Sequence, residues 1–150
     1  MKLSRVVALF LSFALLACAV FVSVSRIPAG THRTVFYFPS MDTDKLCTEV
    51  RYLPDEPIQG ELSFYVDELL LGPMTNRYKF LVPLGTKAEF CTLEGDVLYL
   101  GLSKDALFTT KDSVDIRTGI KLLKVNIVKQ FTEIKTVLMY IDGKSVYEES

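Results

Sequence analysis

The sequence predicts an α+β fold, a two-layer sandwich in which one mixed β-sheet of about five to six strands carries two helices on one face. An N-terminal hydrophobic helix is predicted to precede it. Three observations lead to this fold class. Short runs rich in β-branched and aromatic residues are separated by turn residues. Two segments carry apolar residues at helical spacing. The chain also begins with an uncharged apolar run from Val6 to Val24.

The apolar run has three interpretations, and all three place the rest of the chain outside the cytoplasm. An uncleaved anchor helix is favoured, because apolar residues continue past Cys18 and the run is long enough to cross a hydrocarbon core of about 30 Å. Leu15–Cys18 resembles a lipobox, which would make Cys18 a lipidated N-terminus. Cleavage at the A-x-A-like stretch Ala17–Ala19 is the third interpretation. Lys2 and Arg5 flank the inner end, as expected for export of the C-terminal part.

The remainder has the size of one domain. We divide the chain into a signal or anchor segment at residues 1–26, a linker at 27–33 and a domain at 34–150. The net charge is −1, and acidic and basic residues alternate without forming a basic block. Nucleic-acid binding is therefore not predicted.

The first half of the domain is predicted to contain two strands and a helix. Thr34–Phe38 and Leu46–Tyr52 have strand composition and are joined by a turn. In the second strand the even positions are mainly apolar and Glu49 and Arg51 are polar, which predicts that the odd positions face water. The helix is predicted from Gln59 to Leu71, because Gly72-Pro73 ends it and an apolar stripe recurs at helical spacing. That stripe comprises Leu62, Tyr65, Val66 and Leu69.

The second half is predicted to add a hairpin, a second helix and a last strand pair. Lys87–Leu93 and Asp96–Leu102 flank the Glu94-Gly95 turn. Asp112-Ser113 is predicted to cap the second helix. Thr136–Ile141 is a strand, and Asp142-Gly143 is a hairpin turn that leads into a short edge strand at Ser145–Tyr147. The buried stripe of the second helix is predicted to be Ile116, Ile120, Leu123, Ile127 and Phe131.

No catalytic, metal-ligating or cofactor-binding residues are predicted. The chain has one histidine, His32, in the predicted linker, so a histidine-rich zinc site or a histidine general base is not available. The carboxylate pairs Asp55/Glu56 and Asp67/Glu68 are interpreted as solvated surface charges.

Cys47 and Cys91 form the sharpest candidate site. Alternate residues of a strand share a face, so both cysteines fall on the predicted polar faces of their strands. A cysteine that served only as a small buried hydrophobic residue would be expected on the opposite face. Two such thiols in an oxidising compartment often pair, so we predict a Cys47–Cys91 disulfide. The alternatives are two unpaired thiols that share a face, or a metal site formed by the two cysteines without a nearby histidine.

The order of several motifs resembles the GerMN domain, which is named for a sporulation and spore-germination protein. These motifs run from Thr34 to Val146: Val35–Phe38, Glu68–Pro73, Leu81–Thr86, Val97–Ser103 and Val137–Lys144. The resemblance implies a non-catalytic, membrane-tethered, extracytoplasmic domain, because its relatives act as assembly or accessory parts of envelope complexes. The fold is similar to ring-building modules of secretion machines, and the family brings no catalytic residues.

The predicted function is therefore a non-catalytic module held on the periplasmic side of the inner membrane or on the cell surface of a bacterium. Its predicted partners are the membrane, through the N-terminal segment, and envelope proteins or further copies of itself. Two other functions remain open, a ligand- or peptidoglycan-binding protein and an uncharacterised hydrolase. A cleft lined by Tyr37, Tyr52 or Tyr99 would favour ligand binding, whereas a flat sheet face would favour a scaffold.

Overall fold

A computed structural model describes residues 11–16, 30–43, 45–108 and 110–146. The chain divides into two compact units, Met1–Gly30 and Thr31–Ser150. In the first unit, residues 11–16 are helical and exposed, whereas Cys18 and most of the apolar run lie outside the described residues. Within the described parts of the chain, no helix is long and apolar enough to cross a membrane. The anchor helix and the boundaries of the segment at 1–26 stay predictions.

The described residues of the second unit form six strands, two α-helices and a short 3₁₀ helix. Its first strand begins inside the segment that we assigned to a linker, so His32 lies in a strand. The elements are β1 (Thr31–Pro39), β2 (Leu46–Pro54), α1 (Glu61–Leu71), β3 (Ala88–Glu94), β4 (Val97–Leu102), the 3₁₀ helix (Lys104–Leu107), α2 (Ile116–Gln130), β5 (Thr136–Ile141) and β6 (Lys144–Ser145).

The strands form two sheets, so the prediction of one sheet is wrong. β1 and β2 make a two-stranded antiparallel ribbon. The other four strands are ordered β3-β4-β5-β6, with β4 and β5 parallel and the remaining pairs antiparallel. A parallel pair needs a crossover connection, and α2 provides it between β4 and β5. The second sheet is therefore mixed, as predicted, but it does not include the ribbon.

The ribbon stays separate because helix side chains cover the outer edge of β1. Asn126 of α2 accepts a hydrogen bond from the Tyr37 backbone N–H at 2.8 Å and donates one to the Tyr37 carbonyl at 3.0 Å. The Tyr65 hydroxyl of α1 lies 3.3 Å from the Val35 carbonyl oxygen, and the Lys79 backbone N–H donates to the Pro39 carbonyl at 2.8 Å. With these backbone groups satisfied, β1 has no need of a second neighbouring strand.

Both helices contribute to one hydrophobic core, and their predicted stripes are largely confirmed. Leu62 and Ile116, the first residue of each stripe, are only partly buried, and the others are buried. The inner faces of both sheets supply most of the rest of the core, and Leu81, Val82 and Ile134 from loops and Ala106 from the 3₁₀ helix complete it. The fully buried large side chains are Phe36, Phe38, Tyr65, Leu69, Leu81, Leu98, Leu100, Leu102, Leu123, Ile127, Ile134 and Met139.

The second helix begins later than predicted. Asp115 is its N-cap, and the Asp115 carboxylate accepts a hydrogen bond from the Thr118 backbone N–H at 3.1 Å. This bond holds the pKa of Asp115 below its ordinary value. Asp112 cannot cap the helix, because its carbonyl accepts the Phe80 backbone N–H and Ser113 forms a parallel bridge with Phe80.

The orientation of β2 is opposite to the prediction. The odd positions face the interior, where Arg51 and Leu53 are buried, and the even positions Leu46, Val50 and Tyr52 are exposed. The alternation of polar and apolar residues assigned the residues of β2 to the correct two faces. It predicted the wrong face to be solvent-exposed, because an arginine stands at a core-facing position.

Arg51 is buried because every part of its guanidinium group has a partner. Nε and Nη2 donate to Glu49 Oε1 at 2.8 and 2.5 Å, and Nη1 donates to Glu68 Oε2 at 2.7 Å. Nη2 also donates to the Gly72 carbonyl at 2.6 Å, at the C-terminal end of α1. The guanidinium lies 4.6 Å from the centroid of the Phe36 ring. Arg51 therefore joins the ribbon to α1, and Glu68 is an ion-pair partner rather than a solvated charge.

Gly72 is required where α1 ends beside this arginine. Its φ of 83° lies in the region that favours glycine, and a side chain there would overlap the Phe80 ring. The turn keeps the Gly72 carbonyl directed at Arg51 and lets the Met74 backbone N–H donate to the Glu49 carboxylate at 3.1 Å.

Replacing Arg51 with methionine should lower the free energy of unfolding by about 3 kcal/mol, because two acidic side chains then face each other without their shared cation. Urea unfolding of the purified protein followed by circular dichroism measures this loss. Arg33→Met is the matched control, since Arg33 is exposed on the same ribbon, and it should change stability by less than about 0.5 kcal/mol. Equal stability of the two variants would contradict the role of Arg51.

Candidate interaction surfaces

The residues examined as possible catalytic groups do not assemble a reaction centre. His32 of β1 lies with Nδ1 3.0 Å from Asp55 Oδ1 and with Nε2 3.7 Å from Glu61 Oε1, so it bridges β1 to the loop before α1 and to α1 itself. Among the described residues, no group of three histidine, cysteine or acidic side chains is placed to hold a metal ion. This arrangement ties β1, the loop before α1 and α1 together at the surface.

Cys47 and Cys91 lie in different sheets, and both thiols are free in the structure. Cys47 is half-buried on the inner side of β2, and its Sγ lies 3.6 Å from the Lys45 carbonyl oxygen. Cys91 packs against the hydrophobic core. The predicted disulfide is not formed in the structure, and it stays a prediction for the protein in an oxidising compartment.

A β-bulge explains why the parity argument was wrong for Cys91. Ala88 pairs with Leu102 and Phe90 pairs with Gly101, so β3 carries one extra residue, Glu89, between these pairs. The extra residue reverses the alternation, and Cys91 turns inward together with Ala88 while Phe90 turns outward. Burial consequently raises the pKa of the Cys91 thiol; a hydrogen bond with Ser63 of α1 lowers that pKa, and the charge of Asp67 raises it.

The three tyrosines that would mark a ligand cleft are divided between the two sheets. Tyr37 and Tyr52 project from the outer face of the ribbon, where the Lys129 amine lies 4.1 Å from the centroid of the Tyr37 ring. Tyr99 belongs to β4 of the second sheet. A groove of about 460 Å³ lies between the ends of the ribbon and the start of α2, and no tyrosine lines it. Its lining residues are Pro39, Leu46, Lys79, Ser113, Val114, Asp115, Thr118 and Leu122.

The outer side of β3, β4 and β5 forms a face that we call the open face. Strand register arranges it in three rows across the sheet. The inner side of the same strands is largely buried in the core, whereas the side chains of the open face are exposed or only partly buried, and only Gly101 beneath the Phe90 ring is buried there. The rows are Phe90, Gly101 and Tyr140; Thr92, Tyr99 and Leu138; and Glu94, Val97 and Thr136.

The centre of the open face is aromatic and apolar. The rings of Phe90 and Tyr140 lie 5.7 Å apart, between centroids, and Phe90 lies directly on Gly101. A side chain at Gly101 would overlap the Phe90 ring, so the glycine is what allows the ring to lie on the sheet. Leu138 is 40% exposed and Phe90 39% exposed, whereas the polar residues of the face lie toward one end. An apolar, aromatic centre of this kind is typical of a surface that binds another protein.

Sequence reasoning missed this face. Tyr99 was named as a candidate, but Phe90, Leu138 and Tyr140 were not. The signal available in the sequence was Thr136–Ile141, a strand that is apolar on both faces although only one of them enters the core. The bulge that turns Phe90 outward has no comparable sequence signal.

The comparisons with known proteins identify the family. The family model Germane, described as "Sporulation and spore germination", matches residues 35–147. This chain therefore belongs to the Germane family, and the resemblance found in its sequence motifs is confirmed, in a single copy.

Solved structures share the fold at low sequence identity. The first GerMN domain of the sporulation protein GerM from Bacillus subtilis aligns with a TM-score of 0.61 and 14% identity, covering 79% of this chain and 88% of that one. The tandem GerMN domains of the same protein align with a TM-score of 0.62 and 14% identity, covering 81% of this chain and 43% of that one.

A curated relative is described as an uncharacterized lipoprotein of Treponema pallidum (strain Nichols). It is 28% identical over 89 residues, which cover 59% of this chain and 66% of the relative. The match thus spans just under two thirds of the relative's own length.

In the folded, reduced protein, Cys47 should react with iodoacetamide faster than Cys91, because burial raises the pKa of the Cys91 thiol and so lowers its thiolate fraction. Peptide mass spectrometry after timed alkylation measures the two rates. The control is alkylation in concentrated urea, where both cysteines should react alike. Faster reaction at Cys91 in the folded protein would contradict its inward orientation.

Proposed function

We propose that this protein is a non-catalytic, extracytoplasmic module that is tethered to a bacterial membrane and serves as an assembly or accessory part of an envelope complex. Membership of the Germane family supports the general class, because its relatives here are GerMN domains and a lipoprotein. The more specific proposal, that the module binds another protein, rests on the open face. This face offers a binding surface, and its apolar centre holds no acid, base or nucleophile arranged for chemistry.

Protein docking fits the open face better than small-molecule binding does. A ligand site is typically concave and encloses most of its ligand, with a few convergent polar groups. The open face is the outer side of a sheet, and Tyr99 in its middle row belongs to a different sheet from Tyr37 and Tyr52 of the ribbon, so these three tyrosines do not converge on one cleft. Aromatic residues with hydroxyl groups, such as Tyr99 and Tyr140, supply large contact areas and a polar tip in protein interfaces.

The tether that we propose is a lipid on Cys18. Two observations support it: the lipobox-like stretch Leu15–Cys18 and the description of the Treponema relative as a lipoprotein. The relative's description favours this anchor over the uncleaved helix that the apolar run favours by itself. In either form the module is held at the membrane surface, where its partners would be envelope proteins.

Replacing Leu138 with lysine should abolish most partner capture, because it places a charge in the apolar centre of the open face. The measurement is cross-linking in intact cells, followed by affinity purification and quantitative mass spectrometry of the captured proteins. Val128→Lys is the matched control, since Val128 is 38% exposed on α2 and Leu138 is 40% exposed. The proposal fails if the two variants capture the same proteins in the same amounts, or if the wild type is recovered without partners.

Cys18→Ser should prevent lipid attachment and leave the N-terminal segment unprocessed. Mass spectrometry of the mature N-terminus of the wild type should show a diacylglyceryl group on Cys18 and no residues before it. Ser12→Ala, within the apolar run but outside the lipobox-like stretch, should leave that processing intact. Detection of an intact N-terminus beginning at Met1 in the wild type would rule out the lipid anchor and support the helix.

A further inference from the structure

The outer edge of β2 is the described strand edge best suited to pair with another strand. β2 pairs with β1 along its whole length without a bulge, and it is nine residues long. The other edges are protected. Asn126 and Tyr65 cover β1, the bulge at Ala88–Phe90 distorts β3, and β6 consists of Lys144–Ser145 alone. Bulges and short strands are the usual means of keeping an edge from pairing.

The hydrogen-bond ladder between β1 and β2 determines which backbone N–H and C=O groups of β2 point outward at this edge. Tyr37 directs its N–H and C=O to Asn126, away from β2, so its ladder partner Thr48 must direct its own N–H and C=O away from β1. The same holds at every second residue, namely Leu46, Val50 and Tyr52. Among the described residues, no backbone hydrogen bond to these outward groups is found.

The side chains on the edge are exposed as well. The exposed fractions of Leu46, Val50 and Tyr52 are 45, 42 and 70%, and Thr48 between them is also exposed. No lysine or proline interrupts these four positions. An uninterrupted edge that combines unpaired backbone groups with apolar side chains favours strand addition.

We infer that β2 pairs antiparallel with β2 of a second copy of this chain, about a two-fold axis at Val50, so that the two ribbons form one four-stranded sheet. In this register Val50 faces Val50 of the other copy and Thr48 faces Tyr52 of the other copy, and each outward N–H meets an outward C=O. The surface is self-complementary, as a two-fold interface requires.

The charges on the inner side of β2 select both the second copy and the register. With the axis at Val50, Glu49 of each copy lies opposite Arg51 of the other, next to the pair that these residues already form within each copy at 2.5 Å. Both side chains are largely buried, at 10 and 6% exposure, and all Arg51 donors are already bonded within its own copy, so the opposite charges across the seam favour this register without forming new hydrogen bonds. A register with its axis at Glu49 would instead place two glutamates face to face, which is unfavourable.

This pairing uses a different surface from the open face and does not depend on the proposed partner docking. The ribbon and the sheet of β3–β6 are separate, so an envelope protein on the open face and a second copy on β2 could bind together. The exposed outer face of the ribbon, including Val35 and Tyr37, would become continuous across both copies.

Cysteine cross-linking of the full-length chain in intact cells tests the register. The Cys47→Ser/Cys91→Ser background retains only Cys18 and should give no disulfide-linked dimer by itself. In a Cys47→Ser/Cys91→Ser background, Val50→Cys should form a disulfide-linked dimer on mild oxidation, because facing residues of a hydrogen-bonded pair lie about 5.5 Å apart between Cα atoms. Tyr52→Cys is the register control, since it would be offset from its counterpart by about 13 Å along the strands and should not cross-link. Absence of the Val50→Cys dimer, or equal cross-linking at Tyr52, would overturn the inference.

The oligomeric state of the full-length chain in detergent gives an independent measurement. The wild type should dimerise, and Val50→Lys should raise the dimer dissociation constant about tenfold, because like charges then face each other at the axis. Val128→Lys should dimerise normally. Leu138→Lys should also dimerise while losing partner capture, whereas Val50→Lys should keep that capture. Failure of the β2 pairing is therefore distinguishable from failure of partner docking on the open face. A monomeric wild type, or an unchanged Val50→Lys dimer, would refute the pairing.

Discussion

The burial of Arg51 is the interaction on which the arrangement of the domain depends. A guanidinium group is costly to remove from water unless its donors are satisfied. Here Glu49, Glu68 and the Gly72 carbonyl satisfy it, and the carbonyl lies at the C-terminal end of α1, where the helix dipole favours a positive charge. The Phe36 ring beneath the group adds a cation–π contact. One side chain thus holds the ribbon against α1.

The orientation of β2 follows from this burial. Successive residues of a strand face opposite sides, so once Arg51 points inward the other odd positions do too. Leu46, Val50 and Tyr52 are consequently left on the outside, although they are the more apolar set. The exposed apolar side chains that flank the edge inferred to pair between copies are therefore a consequence of placing an arginine in the interior.

Asn126 and Tyr65 have a similar effect on β1. Both are buried polar side chains on helices, and they occupy the backbone groups that a further strand would otherwise use. Burial also raises the pKa of the Tyr65 phenol, which keeps its hydroxyl protonated and able to donate. The ribbon and the four-stranded sheet therefore offer two surfaces of different chemistry. The open face presents aromatic side chains, and the edge of β2 presents backbone donors and acceptors.

The sequence by itself determined the elements, the stripes of both helices and the family, because these depend on local periodicity, turn residues and the order of short motifs. It also supplied the predicted export segment and the candidate lipidation site at Cys18, and both stay predictions. Only the tertiary structure decided how many sheets form, which face of β2 is buried and where Cys91 points. Each of these depends on a contact between residues distant in the chain, such as Arg51 with Glu68 or Asn126 with Tyr37, or on a bulge that changes strand parity. Local patterns carry no record of such contacts, because a buried arginine and a solvated one look the same in a sequence.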